Sequence, residues 1–503
     1  MPKYQVNLWK LIRSISSTTW IVFSGAATAT ATPNSELSSA SKELSSSEFT
    51  KIEEAIFDAI ESDLPKLEIR VARMLQNNPG NIHANYLMST LLLKMYTTDP
   101  GSFILIKQST DLAAQTYDLS RKNELGIAAL ANILEISGES ERGLSMLNEV
   151  ERRGIPIGWR TKLAKAKLLQ SSHNPELVLQ ALEDALSDPR ASHHLISPVL
   201  IQVLLEKYDG DEQINKLKEW KTRCKSVAMD LALAASHAIS GENEAAMKIY
   251  FSILEQHPNN IEALINQGII AMRLKNYGLA VKRFSSAIEN GTLPGDITAA
   301  QTNLANALIS EKRQPELAKK AAYDAIKGAS DTEGVLIGIL ATYRKESSVG
   351  ATLSFLDDLE TSVPGLHLGY ALKAELLSEK LGRYYDAMQS FTNAITLEPM
   401  RSEYYNGRGL AWMGIGRIEI ALNDFESATF TNPDDASARY NFACALARLG
   451  RKEDAVIALG MAFEMDQRLM IHAQTDQDLA SLRPEPSFKA LFDGNSKQFS
   501  VAH

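Results

Sequence analysis

Few places in this chain of 503 residues have the residue types and spacing that chemistry needs. His193-His194 supplies two imidazoles, the side chain from which transition-metal sites are built, but neighbours on a helix point in different directions. The pair therefore reads as two separate surface or core side chains. Asp209-Gly210-Asp211-Glu212 carries oxygen ligands without the alternate spacing of a calcium loop, so it reads as a solvated turn. Asp476 and Asp478 resemble a carboxylate pair for acid–base work, yet two residues apart in a segment of turns they suit capping and solubility better. Cys224 and Cys444 are too few and too distant for a disulfide framework or a paired metal motif, and read as buried small apolar residues. The chain contains no His-Glu-x-x-His, no Gly-Lys-Ser/Thr and no Gly-x-Ser-x-Gly. The reading assigns no catalytic, cofactor-binding or metal-binding residue, and no cofactor. A net charge of −9 without a basic block excludes a nucleic-acid surface.

What would position side chains here is a repeat. Gly382-Arg383, Gly416-Arg417 and Gly450-Arg451 recur every 34 residues, and the same step carries Ala387 to Ala421 to Ala455, Phe391 to Phe425 to Leu459, Ala394 to Ala428 to Ala462, and Pro399 to Pro433. A fixed period of this length marks stacked units, each unable to bury its own apolar face without neighbours. Apolar residues recur at helical spacing from about Phe49 onward, with no alternating strand pattern, so the fold is all-α. In the clearest unit Ser402 to Met413 forms a first helix, Gly414-Ile415-Gly416-Arg417 turns the chain, Glu419 to Phe430 forms a second, and Pro433 ends it. Gly409 and Ala421 are small where the helices approach, while Trp412 and Phe425 fill the remaining space. Gly268, Ala280 and Phe284 mark an earlier unit, and Ala305, Leu308, Ala318 and Ala325 continue it. Before about residue 225 the pattern is faint.

Gly409, Trp412, Ala421, Phe425, Ala428 and Pro433 match all six signature positions of one unit, and in them the chain resembles the tetratricopeptide repeat family. The resemblance is strong from about 365 to 465 and good from 227 to 329. It implies an α-solenoid, a right-handed superhelix of antiparallel helix pairs. The organisation read along the chain is a leader at 1–31, a Ser-rich linker at 32–48, a degenerate helical-repeat region at 49–226, repeats at 227–345 and 346–466, and a closing segment and tail at 467–503. That last segment is similar to one ending many bacterial members of the family, with Leu479, Leu482, Phe488 and Leu491 placed to cover the terminal helix.

In this family, fixed positions of the first helix face a concave groove. Carried onto this chain the rule gives Asn266, Ile269 and Arg273, then Asn303 and Asn306, and later Leu372, Leu376, Asn406, Leu410, Tyr440, Asn441 and Arg448. Asparagine both donates to and accepts from a peptide backbone, so such a ladder suits an extended segment. Chaperone-binding relatives clamp a terminal carboxylate with Lys and Asn. Here Leu372, Leu376 and Ser437 stand at corresponding positions, with Asn441, and the clamp is absent.

The resemblance thus implies a non-catalytic scaffold or adaptor holding a protein or extended peptide, in envelope assembly or export. Lys3, Lys10 and Arg13, the apolar Trp20-Ile21-Val22-Phe23 and the small Ala27-Thr28-Ala29 and Ala29-Thr30-Ala31 read as a secretory leader, giving a periplasmic or secreted protein, with a cytoplasmic one as the alternative. No later run reaches the 18 or more apolar residues that span a bilayer. Any membrane association would come through a partner. Two other function classes stay open, an enzyme with an unfamiliar site between residues 50 and 225, and an architectural homo-oligomer.

Overall fold

The computed structural model describes residues 45–98, 102–119, 124–171 and 174–492, and every regular element among them is helical. The leader and most of the linker lie outside the described residues, as does the tail beyond 492. The chain packs as two units, divided between Ile270 and Ala271.

The first unit contains α1 (Ser46–Asp58), α2 (Leu64–Asn77), α3 (Ile82–Thr98), α4 (Phe103–Leu119), α5 (Glu124–Ile136), α6 (Ser140–Arg152), α7 (Trp159–Gln170), α8 (Pro175–Leu186), α9 (His193–Lys207), α10 (Gly210–Arg223), α11 (Val227–Ile239) and α12 (Asn243–Gln256). The division falls within α13 (Ile261–Arg273). The second unit runs through α14 (Tyr277–Asn290), α15 (Pro294–Glu311), α16 (Pro315–Gly328), α17 (Thr332–Glu346), α18 (Val349–Ser362), α19 (His367–Leu381), α20 (Tyr384–Leu397), α21 (Ser402–Gly414), α22 (Ile418–Thr431), α23 (Ala436–Arg448) and α24 (Lys452–Met465). It ends with α25 (Leu469–Ala473), a 3-10 turn at Gln477–Leu482, and α26 (Pro486–Ala490).

Local chemistry sets these boundaries. Pro stands in the first turn of α8, α15 and α16, where a missing amide hydrogen costs nothing. Asp435 caps α23 by accepting from Ala438 N–H at 2.9 Å. The Gly-Arg ruler is a helix stop: Gly382, Gly416 and Gly450 have φ of 62°, 76° and 77°. In the clearest case Arg417 N–H donates to the Trp412 carbonyl at 3.0 Å and Gly416 N–H to Met413 at 2.9 Å, the paired closure that a left-handed residue permits. The arginine then pairs with an aspartate three residues on, Arg383 with Asp386 and Arg451 with Asp454. Ser45 and Glu48 form a reciprocal capping box that starts α1, so the linker read as far as residue 48 ends before Ser45. A Ser-rich run and a helix cap share residue types, which is why sequence alone misplaced that boundary.

Packing follows the repeat signature. Ala387, Ala394, Ala421, Ala428, Ala455, Ala280 and Phe284 are fully buried, as is Phe425, with Phe391 nearly so. Gly409 is small for a measurable reason: a Cβ there would lie 2.7 Å from Phe425 Cε1. On the neighbouring face of α21 a Cβ on Gly407 would lie 2.3 Å from Phe391 Cζ. Gly268 is buried, Trp412 half-buried, and Pro399 and Pro433 sit exposed in the turns after α20 and α22. Beyond α24, Leu479, Leu482, Phe488 and Leu491 are buried in one apolar cluster with Leu459, Ala462 and Phe463.

Within each unit the first helices of successive pairs pack on one another, α3 on α5, α5 on α7, α9 on α11, α21 on α23, more extensively than the second helices do. The first helices therefore form the inner, concave side.

Candidate functional site: the inner face of the second unit

Along this face α15, α17, α19, α21 and α23 present side chains in register. Neighbouring inner helices meet least between α17 and α19. The α17–α18 pair is also the most open in the unit. Where other pairs place a small residue, α17 places Leu340, and Tyr343 stacks on Phe355 at 4.5 Å, which in turn stacks on Tyr323 at 5.5 Å. Large side chains at the seam hold the helices apart. An open cleft of about 420 Å³ results, lined by Ile337, Leu340, Ala341, Arg344 and Lys345 of α17 and Leu372 of α19. Ile337 is 53% exposed, unusual for an isoleucine with a core beneath it.

Cations border this apolar floor. Arg344 lies 3.7 Å from Glu375 of α19, whose carboxyl is raised above its ordinary range, chiefly by burial and against the pull of Arg344. Lys373 is held at 2.7 Å by both Asp357 and Glu360 of α18. Farther along, Leu410 of α21 is 45% exposed. Asn441 Nδ2 donates to Asn406 Oδ1 at 2.9 Å, so the two amides form one rung. Asn303 bonds back to the Ala299 carbonyl at 2.9 Å, while Asn306 Oδ1 is buried without a partner. Arg448 is exposed and lies 3.4 Å from Asp478.

Three of the expected groove residues, Leu376, Tyr440 and Asn266, are buried rather than presented to a partner. Leu376 is buried among the α19–α20 core residues. Tyr440 is buried, and its hydroxyl donates to Asp476 Oδ2 at 2.8 Å, with burial as the main cause of a strongly raised phenol pKa. Repeat register gives direction along a helix face but not depth, and the closing segment covers Tyr440. On α13, Asn266 is buried with Nδ2 unpartnered, Ile269 is half-buried and Arg273 exposed. Leu340 breaks the small-residue signature on α17, so the repeat register does not extend onto that helix. In the sequence, only the adjacent cations Arg344-Lys345 near the end of that helix offered a signal.

The histidine pair, Asp209, Asp476 and the two cysteines make structural contacts. His193 Nδ1 accepts from Lys225 N–H at 2.8 Å, and His194 Nε2 bonds Asp58 at 2.8 Å. Asp209 and Gly210 lead into α10. Asp476 caps the following turn through Asp478 N–H at 2.9 Å. Burial pushes the Cys224 thiol up to about 12, and burial with Asp476 raises Cys444 further, so neither is a ready nucleophile. Among the described residues no group of three or more His, Cys, Asp or Glu is placed to hold a metal ion, and no helix is long and apolar enough to cross a membrane.

A tetratricopeptide repeat profile matches residues 413–463, which cover α22 and α23 and most of α24. A TPR repeat-containing protein of Methanocaldococcus jannaschii is 23% identical over 250 residues, 47% of this chain and 42% of that protein. The matched stretch thus spans less than half of the relative's length. Among solved structures, the Cut9 and Hcn1 hetero-tetramer of the APC/C is 12% identical, covering 87% of this chain and 97% of that one, with a TM-score of 0.29. YrrB, described as a TPR protein with an unusual peptide-binding site, is 17% identical over 45% of this chain and 98% of its own, with a TM-score of 0.24. The profile thus lies on the units whose glycines, alanines and phenylalanines pack as the repeat signature requires, and over residues 413–463 the chain is similar to the tetratricopeptide repeat.

Proposed function

We propose that the chain is a non-catalytic scaffold that holds an extended peptide or protein segment along the inner face of its second unit. The observation that carries this reading is the cleft between α17 and α19, with an apolar floor of Ile337, Leu340, Ala341 and Leu372 and a cationic rim of Arg344 and Lys345. Its volume admits a large apolar side chain, and its rim favours an acidic neighbour on the same ligand. The Asn406–Asn441 rung, Asn303 and Asn306 lie along the rest of the face for backbone contacts.

The closing segment from Leu469 to Leu491 acts as the cap that shields the terminal pair, as in bacterial members of the family. The leader-like composition of residues 1–31 supports a periplasmic or secreted location, in an envelope assembly or export complex, with the cytoplasm as the alternative. Sequencing the amino terminus of the mature protein checks the compartment: an intact Met1 refutes export by cleavage.

The binding reading is tested by screening a peptide library against the full chain and repeating the best binder on Ile337→Asp and Leu372→Asp. Placing a carboxylate on the cleft floor should weaken binding by about 10-fold or more, given about 1.5–3 kcal/mol for one buried apolar side chain. Unchanged affinity in both variants would dismiss the cleft.

A further inference from the structure

The first unit's inner face is already filled, and by the chain itself. Helix α1 buries Phe49, Ile52, Glu53 and Ile56, a single stripe at helical spacing, while Ser47, Lys51 and Ala55 face outward. It does not behave as half of a repeat, for its side chains reach the inner helices α3, α7 and α9. Phe49 lies 4.6 Å from the His83 ring and 5.8 Å from Tyr86, both on α3, and the Phe57 carbonyl accepts from Lys94 Nζ at 2.9 Å. On the opposite side Arg160 of α7 stacks over Phe49 at 4.6 Å and grips Glu53 through Nε and a terminal nitrogen at 2.9 and 2.6 Å. Tyr86 Oη donates to the same carboxylate at 2.8 Å. At the far end Glu54 accepts from Ser192 Oγ at 2.5 Å and Asp58 meets His194 of α9. An amphipathic helix lying across successive inner helices is how a groove holds a bound ligand helix.

Arg160 is the reader of this arrangement. Its side chain is only 10% exposed, and Glu124 stands 3.8 Å away on the other side with its second oxygen buried and unpartnered. Glu124 therefore keeps the cation compensated if Glu53 withdraws, so the groove need not strand a buried charge when α1 leaves. Only residues 59–63 join α1 to α2, so α1 is a tethered occupant held at high local concentration.

We propose that the inner face of the first unit is a receptor for an acidic amphipathic helix with the pattern Phe-x-x-Ile-Glu-x-x-Ile, and that α1 is its resident, displaced when a partner helix of that chemistry binds. This proposal is independent of the peptide reading for the second unit.

The test uses the full chain and a labelled synthetic peptide of residues 45–59. Wild type should take up the peptide poorly, whereas Ile52→Asp/Ile56→Asp, which ejects α1 and leaves the groove walls intact, should bind it about 100-fold more tightly. Adding Arg160→Glu to that variant should abolish binding of the natural peptide and restore it for a peptide carrying Glu53→Arg. Circular dichroism verifies that each variant is folded. A second form of the protein, with a protease site replacing residues 60–62, should exchange its cut α1 for labelled peptide. A folded variant that binds no better than wild type, indifference to the charge exchange, or a cut chain that neither retains nor exchanges the helix would overturn the proposal. Concentration-dependent doubling of the wild-type mass would assign the site to a second copy's α1 and equally overturn displacement by a separate partner.

Discussion

Consider what Gly409→Ala does to the repeat seam, since the same residue type at Gly416 is required for a different reason. At Gly409 the added methyl would lie 2.7, 2.9 and 3.0 Å from three ring carbons of Phe425, whose side chain is fully buried and has nowhere to retreat. Overpacking a dense core costs about 1–3 kcal/mol. Alanine recovers about 1 kcal/mol of helix propensity, so the net loss is about 1 kcal/mol, or about 2–4 °C in thermal midpoint for a unit of this size. At Gly416 nothing lies within 4 Å of an added Cβ, but φ is 76°. Alanine there loses about 1–2 kcal/mol from the backbone alone. The two losses are similar, and a double-mutant cycle separates them. With Phe425→Leu, the Gly409 cycle should show a favourable coupling of about 1 kcal/mol, because the smaller side chain makes room, while the Gly416 cycle should be additive. Denaturant unfolding of wild type, the three single variants and the two double variants supplies the energies. If Gly409→Ala is stabilising, or its cycle is additive, close contact at that seam is not why the residue is small.

The partly buried pair Arg408–Asp424, bidentate at 2.9 and 2.7 Å, makes a second case: Arg408→Met should cost about 1–3 kcal/mol by leaving the buried aspartate unpaired, and Arg408→Met with Asp424→Leu should recover most of it in the same unfolding assay. Hydrogen bonding to Asp58 raises His194 above its ordinary pKa, so its stabilisation is complete below the unfolded value of about 6.5 and is lost as pH rises through the higher folded value. Both groups are substantially exposed, which keeps the effect under about 1 kcal/mol, and the protection of α1 amides relative to their intrinsic exchange rate at each pH should fall between pH 6 and pH 8 in wild type but not in His194→Ala. The thiols of Cys224 and Cys444 should resist alkylation at pH 8 until the chain unfolds; prompt native labelling would contradict their burial.

What was legible in the sequence was what is local. The Gly-Arg stops, the alanine seams and the Phe391–Phe425 spacing each reflect contacts within one pair or between adjacent pairs, so a 34-residue ruler finds them. Gly407 escaped because its partner, Phe391, belongs to the preceding pair and the family signature has no term for it. The α17–α18 pair escaped because Leu340 and the Tyr343–Phe355 stack replace the small residues by which a pair is recognised, and the same replacement opens the cleft. The irregularity that hid the pair from the pattern is thus also what forms the candidate site.

The insertion of α1 was illegible for a different reason. Its capping box and apolar stripe mark a helix, but nothing local distinguishes a helix that pairs with its neighbour from one that lies across α3, α7 and α9. The deciding contacts join Glu53 to Arg160 and Glu54 to Ser192, separated by 107 and 138 residues. They are also charged or polar, in a position where a repeat would pack an alanine or leucine against its neighbour. A buried carboxylate gripped by one arginine contributes little net stability compared with an apolar pair of the same size, but it discriminates sharply against a helix that lacks it. Within a repeat, as at Arg408–Asp424, such a pair joins helices the chain already holds together, whereas across 107 residues it selects which helix lies on the inner face. That selection matters where the occupant can change, as proposed for α1.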